Sequence, residues 1–196
     1  MPAKDLSKPL IKFMAKASNG EDITFYRNNA GINYSVYPPQ TFLTFDYWIY
    51  MVPQYKPKSV LMLGYGGGTV AGLIRMIWGD VPITAVDLVP SPDPDPYNVN
   101  FIEGDAKEFV KNCGSFDAVL IDLFDSDKAT SCEFVTDPDF IECLERIGNY
   151  LVINALDLDM SPYNHLTLKG IKVTDSEVPI HYYETKNKIP YLHPFK

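Results

Sequence analysis

From residue 59 onward, short apolar runs alternate with helical patterns, and this alternation predicts an α/β fold: a doubly wound, mostly parallel sheet covered by helices on both faces. Two further observations support it. The first strand of the series, Val60–Leu63, is apolar at every position, as a parallel strand buried on both sides must be. A glycine-rich turn, Gly64-Tyr65-Gly66-Gly67-Gly68, then joins that strand directly to a helix.

Ahead of this region, Leu6 to Ala17 reads as a short amphipathic helix, with Leu6, Leu10, Phe13, Met14 and Ala17 at helical spacing. Glu21–Tyr26 and Gly31–Tyr37 read as a β-hairpin, because Asn28-Asn29-Ala30-Gly31 between them is turn chemistry. Pro38-Pro39 ends the hairpin, and Gln40 to Met51 reads as an aromatic-rich helix stopped by Pro53. The alternating series follows. Val70–Trp78 is its first helix, Ile83–Asp87 its second strand and Asn100–Glu103 its third. Ala106–Asn112 is a helix, Phe116–Asp122 the fourth strand, Asp137–Ile147 a helix and Tyr150–Ala155 the fifth strand. Lys169–Thr174 and Ile180–Thr185, joined by a turn around Ser176, read as a terminal antiparallel hairpin. Between Asp87 and Asn100 four prolines forbid a helix, so that crossover is predicted as a loop. The organisation is therefore an N-terminal unit over 1–56 and a doubly wound α/β unit over 57–196.

Bulk properties bound the function. The chain has 196 residues, enough for one complete core and short for two. Its net charge of −8, without a Lys/Arg cluster, argues against nucleic acid, whose phosphates need a basic footprint. A cationic substrate such as a polyamine suits an acidic chain, and simple solubility explains the charge as well. Cys113, Cys132 and Cys143 fit no metal-ligand spacing and read as reduced thiols, so no metal is expected. Met1 to Lys16 shows no signal-peptide pattern, and the longest uncharged run, Ser59 to Ile74, is broken by glycines and too short for a bilayer. A soluble cytoplasmic protein that binds neither membrane nor nucleic acid is the expectation.

Glycines between a strand and a helix let a ligand approach the backbone, and the free N–H groups of the helix start point at that ligand. Asp87 ends the next strand, about twenty residues on, where a carboxylate can accept both ribose hydroxyls. Together they predict a nucleoside site with Gly64, Gly66 and Gly68 at one end and Asp87 at the ribose. Dinucleotides and S-adenosyl compounds share this arrangement. A dinucleotide fingerprint wants a further glycine where this chain has Thr69, which favours the S-adenosyl class.

Two more strand ends carry acids. In Gly104-Asp105-Ala106, Asp105 can accept from an adenine amino group while Ala106 donates its N–H; the same aspartate can simply cap the following helix. Asp122-Leu123-Phe124-Asp125-Ser126-Asp127 follows the fourth strand. Asp122, placed after four apolar residues, should be half-buried, a setting that suits a group that must take a proton. Asp127 reads as a solvated loop acid. Tyr37 and Gln40 sit where the aromatic helix meets the sheet and could border the pocket. The stripe Phe42, Phe45, Trp48, Ile49 reads as core. His165, His181 and His193 form no metal spacing, and no Ser-His-Asp or cysteine nucleophile can be assembled.

The chain resembles the spermidine/spermine synthase (aminopropyltransferase) family within the class I S-adenosylmethionine-dependent methyltransferase fold, a Rossmann-like architecture. The resemblance covers roughly Gly31 to Ala155. It rests on Ser35-Val36-Tyr37-Pro38 before an aromatic helix, Leu63-Gly64-Tyr65-Gly66-Gly67-Gly68-Thr69, Val86-Asp87, Gly104-Asp105-Ala106, and Phe116 to Asp125. It implies that Gly64, Tyr65, Gly66, Gly68, Asp87, Leu88, Asp105 and Ala106 hold S-adenosylmethionine or its decarboxylated form. It further implies that Asp122, with Asp125 beside it, orients and deprotonates an attacking amine. The reaction would displace methylthioadenosine from the carbon next to the sulfonium.

Three readings stay open at this point. The acid pair Asp122 and Asp125 favours aminopropyl transfer to a small amine. A glycine loop without an acid favours methyl transfer, since an acid there would repel the carboxylate of the intact donor. The shortened crossovers favour a non-catalytic descendant acting as an interaction module. The short N-terminal hairpin and abundant aromatics make a homodimer plausible.

Overall fold

A computed structural model describes residues 11–16, 20, 22–27, 33–37, 47–89, 95–125, 130–174 and 177–185. Its centre is a seven-stranded sheet. In chain order the strands are β4 (Val60–Leu63), β5 (Ile83–Asp87), β6 (Asn100–Glu103), β7 (Phe116–Ile121), β10 (Gly148–Asn154), β11 (Thr167–Val173) and β12 (Pro179–Glu184). Across the sheet they lie in the order β11-β12-β10-β7-β4-β5-β6. The five strands from β6 to β10 are parallel, and β12 is antiparallel to both of its neighbours. The predicted doubly wound sheet and terminal hairpin are both present.

The apolar runs are continuous because both faces are covered. Val60, Met62, Ala85, Ala118, Leu120 and Val152 point to the face packed by α1 (Trp48–Met51) and α2 (Thr69–Trp78). Leu61, Leu63, Val86, Val119, Ile121, Leu151 and Ile153 point to the face of α3 (Ala106–Asn112) and α4 (Pro138–Ile147). Each of these larger side chains contributes about 1.5–3 kcal/mol through burial. In α4, Pro138 opens the helix, and Phe140, Ile141, Leu144 and Ile147 form its buried stripe. Arg146, in its last turn, donates to the carbonyls of Val110 and Lys111 at 2.7 and 2.9 Å, satisfying acceptors at the end of α3.

The N-terminal region departs from expectation. Ile11–Lys16 is not helical; it is a strand, β1, paired antiparallel with β2 (Asp22–Arg27), which pairs in turn with β3 (Asn33–Tyr37). Ile11, Phe13 and Ala15 alternate with Lys12, Met14 and Lys16, so this segment also carries a period of two. In six residues that period competes with the helical one, and pairing to β2 decides the outcome. Met14 and Lys16, on one face, are both exposed. The rest of the expected helix, residues 6–10, lies outside the described residues, as do the turn at 28–31, the proline pair 38–39 and the aromatic helix over 40–46. Ile23 joins Trp48, Met51 and Val52 in the buried cluster around α2.

The crossover from β5 to β6 contains no helix among its described residues, 88–89 and 95–99, in line with its prolines. At the opposite edge, β11 is exposed along most of its length. It carries Lys169 and Lys172, charges that discourage pairing with another edge, and Lys169 bridges to Glu184 at 2.9 Å. No helix among the described residues is long and apolar enough to cross a membrane.

On β12, His181 is half-buried and its Nδ1 lies 3.1 Å from the Tyr183 hydroxyl. Burial penalises the imidazolium and holds this histidine below its ordinary value of 6.5. The unfolded chain therefore binds its proton first. The stabilising effect is fully present above pH 6.5 and is lost as pH falls through the lowered folded value. We predict that His181→Gln flattens the acid side of the stability-against-pH curve below pH 6.5, measured by urea denaturation. An unchanged slope would show that His181 does not contribute to it.

Candidate functional site

In an open parallel sheet, ligands bind beyond the carboxyl ends of the strands where the winding direction reverses. Here that point lies between β4 and β7. The register Leu63↔Ile121 carries Gly64 and Asp122 out of the sheet side by side. Gly64 has φ +89°, and a Cβ at this position would run into the carbonyl oxygen of Asp122. Only glycine fits, so the chain can turn from β4 into α2 while packed against the end of β7.

The loop that follows is fastened by Asp87. Its Oδ2 accepts from the backbone N–H groups of Tyr65 at 2.7 Å and Gly66 at 3.0 Å, and its Oδ1 from that of Val89 at 2.9 Å. A carboxylate accepts about four hydrogen bonds, so Asp87 has room for one further donor, on Oδ1. The expectation that it accepts both ribose hydroxyls then requires a loop N–H to be released. Leu88, directly after it, is exposed at the crevice. Tyr65 presents its backbone to the loop, while its side chain is buried and donates to Asp95 at 2.7 Å. Gly66 and Gly68 both adopt positive φ, and Gly68 opens α2.

At the third strand, Asp105 caps α3, its Oδ1 accepting from the Lys107 N–H at 2.7 Å. Ala106 behind it is buried. Lys107 reaches on to Asp137 at 2.8 Å, and that hydrogen bond raises the lysine's pKa.

Asp122 is oriented by side chains from two other elements. Its Oδ2 accepts from the Tyr47 hydroxyl at 3.0 Å and its Oδ1 from the Asn154 amide at 2.9 Å. Both of these donors are neutral groups that orient the carboxylate from two sides. Asp125 stands in a two-residue strand, β8 (Phe124–Asp125), paired with β9 (Thr130–Ser131). Asp157, from the loop after β10, anchors this hairpin by accepting from the Ser131 N–H at 2.9 Å.

The fold thus brings Gly64 and Asp122 together, and Asp87 to Tyr65 and Gly66. Tyr37 lies in β3, while Gln40 and Asp127 fall outside the described residues. Sequence reasoning missed Tyr47, Asp95, Asn154 and Asp157. Asn154 was within reach: it ends the fifth strand as Asp122 follows the fourth, and parallel pairing of Ile153 with Ile121 sets the two side by side. Tyr47 and Asp95 carry no such signal. Among the described residues no group of three or more His, Cys, Asp or Glu could hold a metal ion.

Comparison with known proteins supports this architecture. No family model matches the chain, and no curated protein matches it in sequence. Solved structures do. A probable spermidine synthase from Corynebacterium glutamicum is 17% identical with a TM-score of 0.67, over 89% of this chain and 77% of that one. Human methyltransferase-like protein 13, solved in complex with SAH, is 12% identical with a TM-score of 0.55, over 78% and 84% of the two chains. A provisionally assigned SAM-dependent methyltransferase from Streptococcus mutans is 13% identical with a TM-score of 0.57, over 91% of this chain. The present chain spans only 57% of the length of that protein. The fold is the one shared by S-adenosylmethionine-dependent methyltransferases and spermidine synthases.

The contact between Gly64 and Asp122 yields a direct prediction. Gly64→Ala combines positive φ with a backbone clash and should destabilise the chain by about 3 kcal/mol or more. A shift in the urea midpoint corresponding to less than about 1 kcal/mol would contradict it.

Proposed function

We propose that the chain binds an S-adenosyl-type nucleoside against its glycine loop and transfers a group from the sulfonium to a small amine acceptor held at Asp122. The observation that carries this reading is the Asp122 carboxylate, fixed by Tyr47 and Asn154 at the reversal point of the sheet and adjacent to Gly64. The likeness to spermidine synthases and methyltransferases supports it. Aminopropyl transfer from the decarboxylated donor suits the acids best. The amine nitrogen attacks the carbon beside the sulfonium, a C–N bond forms, and the C–S bond breaks. Methylthioadenosine leaves, and the proton released by the new ammonium passes to Asp122. Catalysis on this reading is chiefly positioning, with general-base help.

One observation favours methyl transfer from the intact donor. Residues Gly66 to Gly68 carry no acid, so the donor's own carboxylate would meet no repulsion there. The product then distinguishes the two: methylthioadenosine for aminopropyl transfer, S-adenosylhomocysteine for methyl transfer.

Asp122→Asn tests the assignment. Nucleoside affinity should stay within about threefold, while product formation with an amine acceptor falls on the order of a hundredfold or more. Equal turnover by the variant would remove Asp122 from the chemistry. Nucleoside binding without turnover by the wild-type chain, from either donor, would leave a non-catalytic module.

A further inference from the structure

The crossover between β5 and β6 shows no helix among its described residues, 88–89 and 95–99, and its sequence carries prolines at positions 90, 92, 94 and 96. Polar contacts hold its final stretch instead. Asp95 accepts from the backbone N–H groups of Tyr97 on Oδ1 at 3.1 Å and Val99 on Oδ2 at 3.0 Å, steering the chain into β6. From α2, Arg75 donates to the carbonyls of Tyr97 and Asn98, both at 3.1 Å.

One contact links this stretch to the glycine loop. The Tyr65 hydroxyl donates to Asp95 Oδ1 at 2.7 Å. The Tyr65 ring is 4% exposed and meets Phe101 of β6 edge-on at 5.5 Å. It also lies over Gly68, in space that a Cβ on that residue would need. The Tyr65 backbone N–H donates to Asp87. Tyr65 is therefore gripped by two acids, one ending β5 and one ending the crossover. A hydroxyl donating to a partly buried carboxylate is among the stronger side-chain hydrogen bonds. Nothing in a purely packing role for the ring would require it.

We propose that Tyr65 and Asp95 are positioning residues for the adenosyl nucleoside. Their hydrogen bond makes the glycine loop and the crossover one ordered surface, and affinity for the nucleoside depends on that order being present before binding. This rests on the nucleoside reading above. It assigns the Tyr65 side chain to the wall behind the loop, not to ligand contact.

The test is a double-mutant cycle of Tyr65→Phe, Asp95→Asn and the double variant. The Phe variant keeps the ring and removes only the hydroxyl. Methylthioadenosine and S-adenosylmethionine are titrated calorimetrically against each, and amide exchange is followed without ligand at Tyr65, Gly66, Tyr97 and Val99. Each single variant should weaken nucleoside binding about tenfold, and the double should be no worse than either single. Exchange should accelerate in both segments in each variant. Wild-type affinity in both single variants overturns the proposal, as does a lowered thermal midpoint with affinity intact, which would assign the ring to packing alone. Faster exchange confined to the mutated segment also overturns it. Absence of binding by the wild-type chain removes the nucleoside reading and the positioning role together, and the wild-type titration separates that case from failure of the positioning role alone.

Discussion

Everything at the crevice depends on how closely β4 and β7 approach each other at their carboxyl ends. Gly64 lies against the carbonyl of Asp122, with no space for a side chain between them. That contact has consequences on both sides. On the β4 side it forces the chain into a left-handed turn, which presents the Tyr65 and Gly66 N–H groups to Asp87 and starts α2 at Gly68. On the β7 side it fixes where Asp122 leaves the sheet, within reach of Asn154 on the next strand and Tyr47 before α1. The two halves of the proposed site are thus joined by backbone packing at the ends of β4 and β7.

The acids around this contact divide by what donates to them. Asp87 and Asp105 are occupied by backbone N–H groups, and Asp95 by two such groups besides the Tyr65 hydroxyl; they shape the loop, the start of α3 and the end of the crossover. Asp157 does the same for the β8–β9 hairpin. Asp122 differs: the side chains of Tyr47 and Asn154 donate to it, brought from sequence positions 75 residues before and 32 residues after it. A carboxylate oriented in that way, at the point where ligands enter such sheets, is suited to chemistry more than to capping. Tyr47 and Asn154 steer it from two sides.

Much of this was legible in the sequence. The strands β4, β7 and β10 announce themselves as continuous apolar runs because helices cover both of their faces. The glycine loop and the acids at 87, 105 and 122 follow from position relative to those strands. The capping role of Asp105 was readable too, since it precedes a helix whose second N–H it accepts. What was not legible depends on partners distant in sequence. Ile11–Lys16 fits a helix by its apolar spacing, and only pairing with Asp22–Arg27 makes it a strand. The reach of Tyr47 to Asp122, and of Tyr65 to Asp95, is set by tertiary packing that no local pattern encodes. The strand-end position of Asp87 predicts a ribose ligand, whereas its grip on the loop N–H groups depends on a turn that no local pattern encodes.

The central claim is that the crevice between the glycine loop and Asp122 accepts an S-adenosyl nucleoside. Parallel calorimetric titration of the purified chain with S-adenosylmethionine, its decarboxylated form, methylthioadenosine and NAD tests it most directly. The account predicts binding of the S-adenosyl compounds or methylthioadenosine, with NAD excluded. Preference for the decarboxylated donor or methylthioadenosine would favour aminopropyl chemistry, and preference for the intact donor methyl transfer. Binding of NAD alone, or of none of the four, would contradict the account.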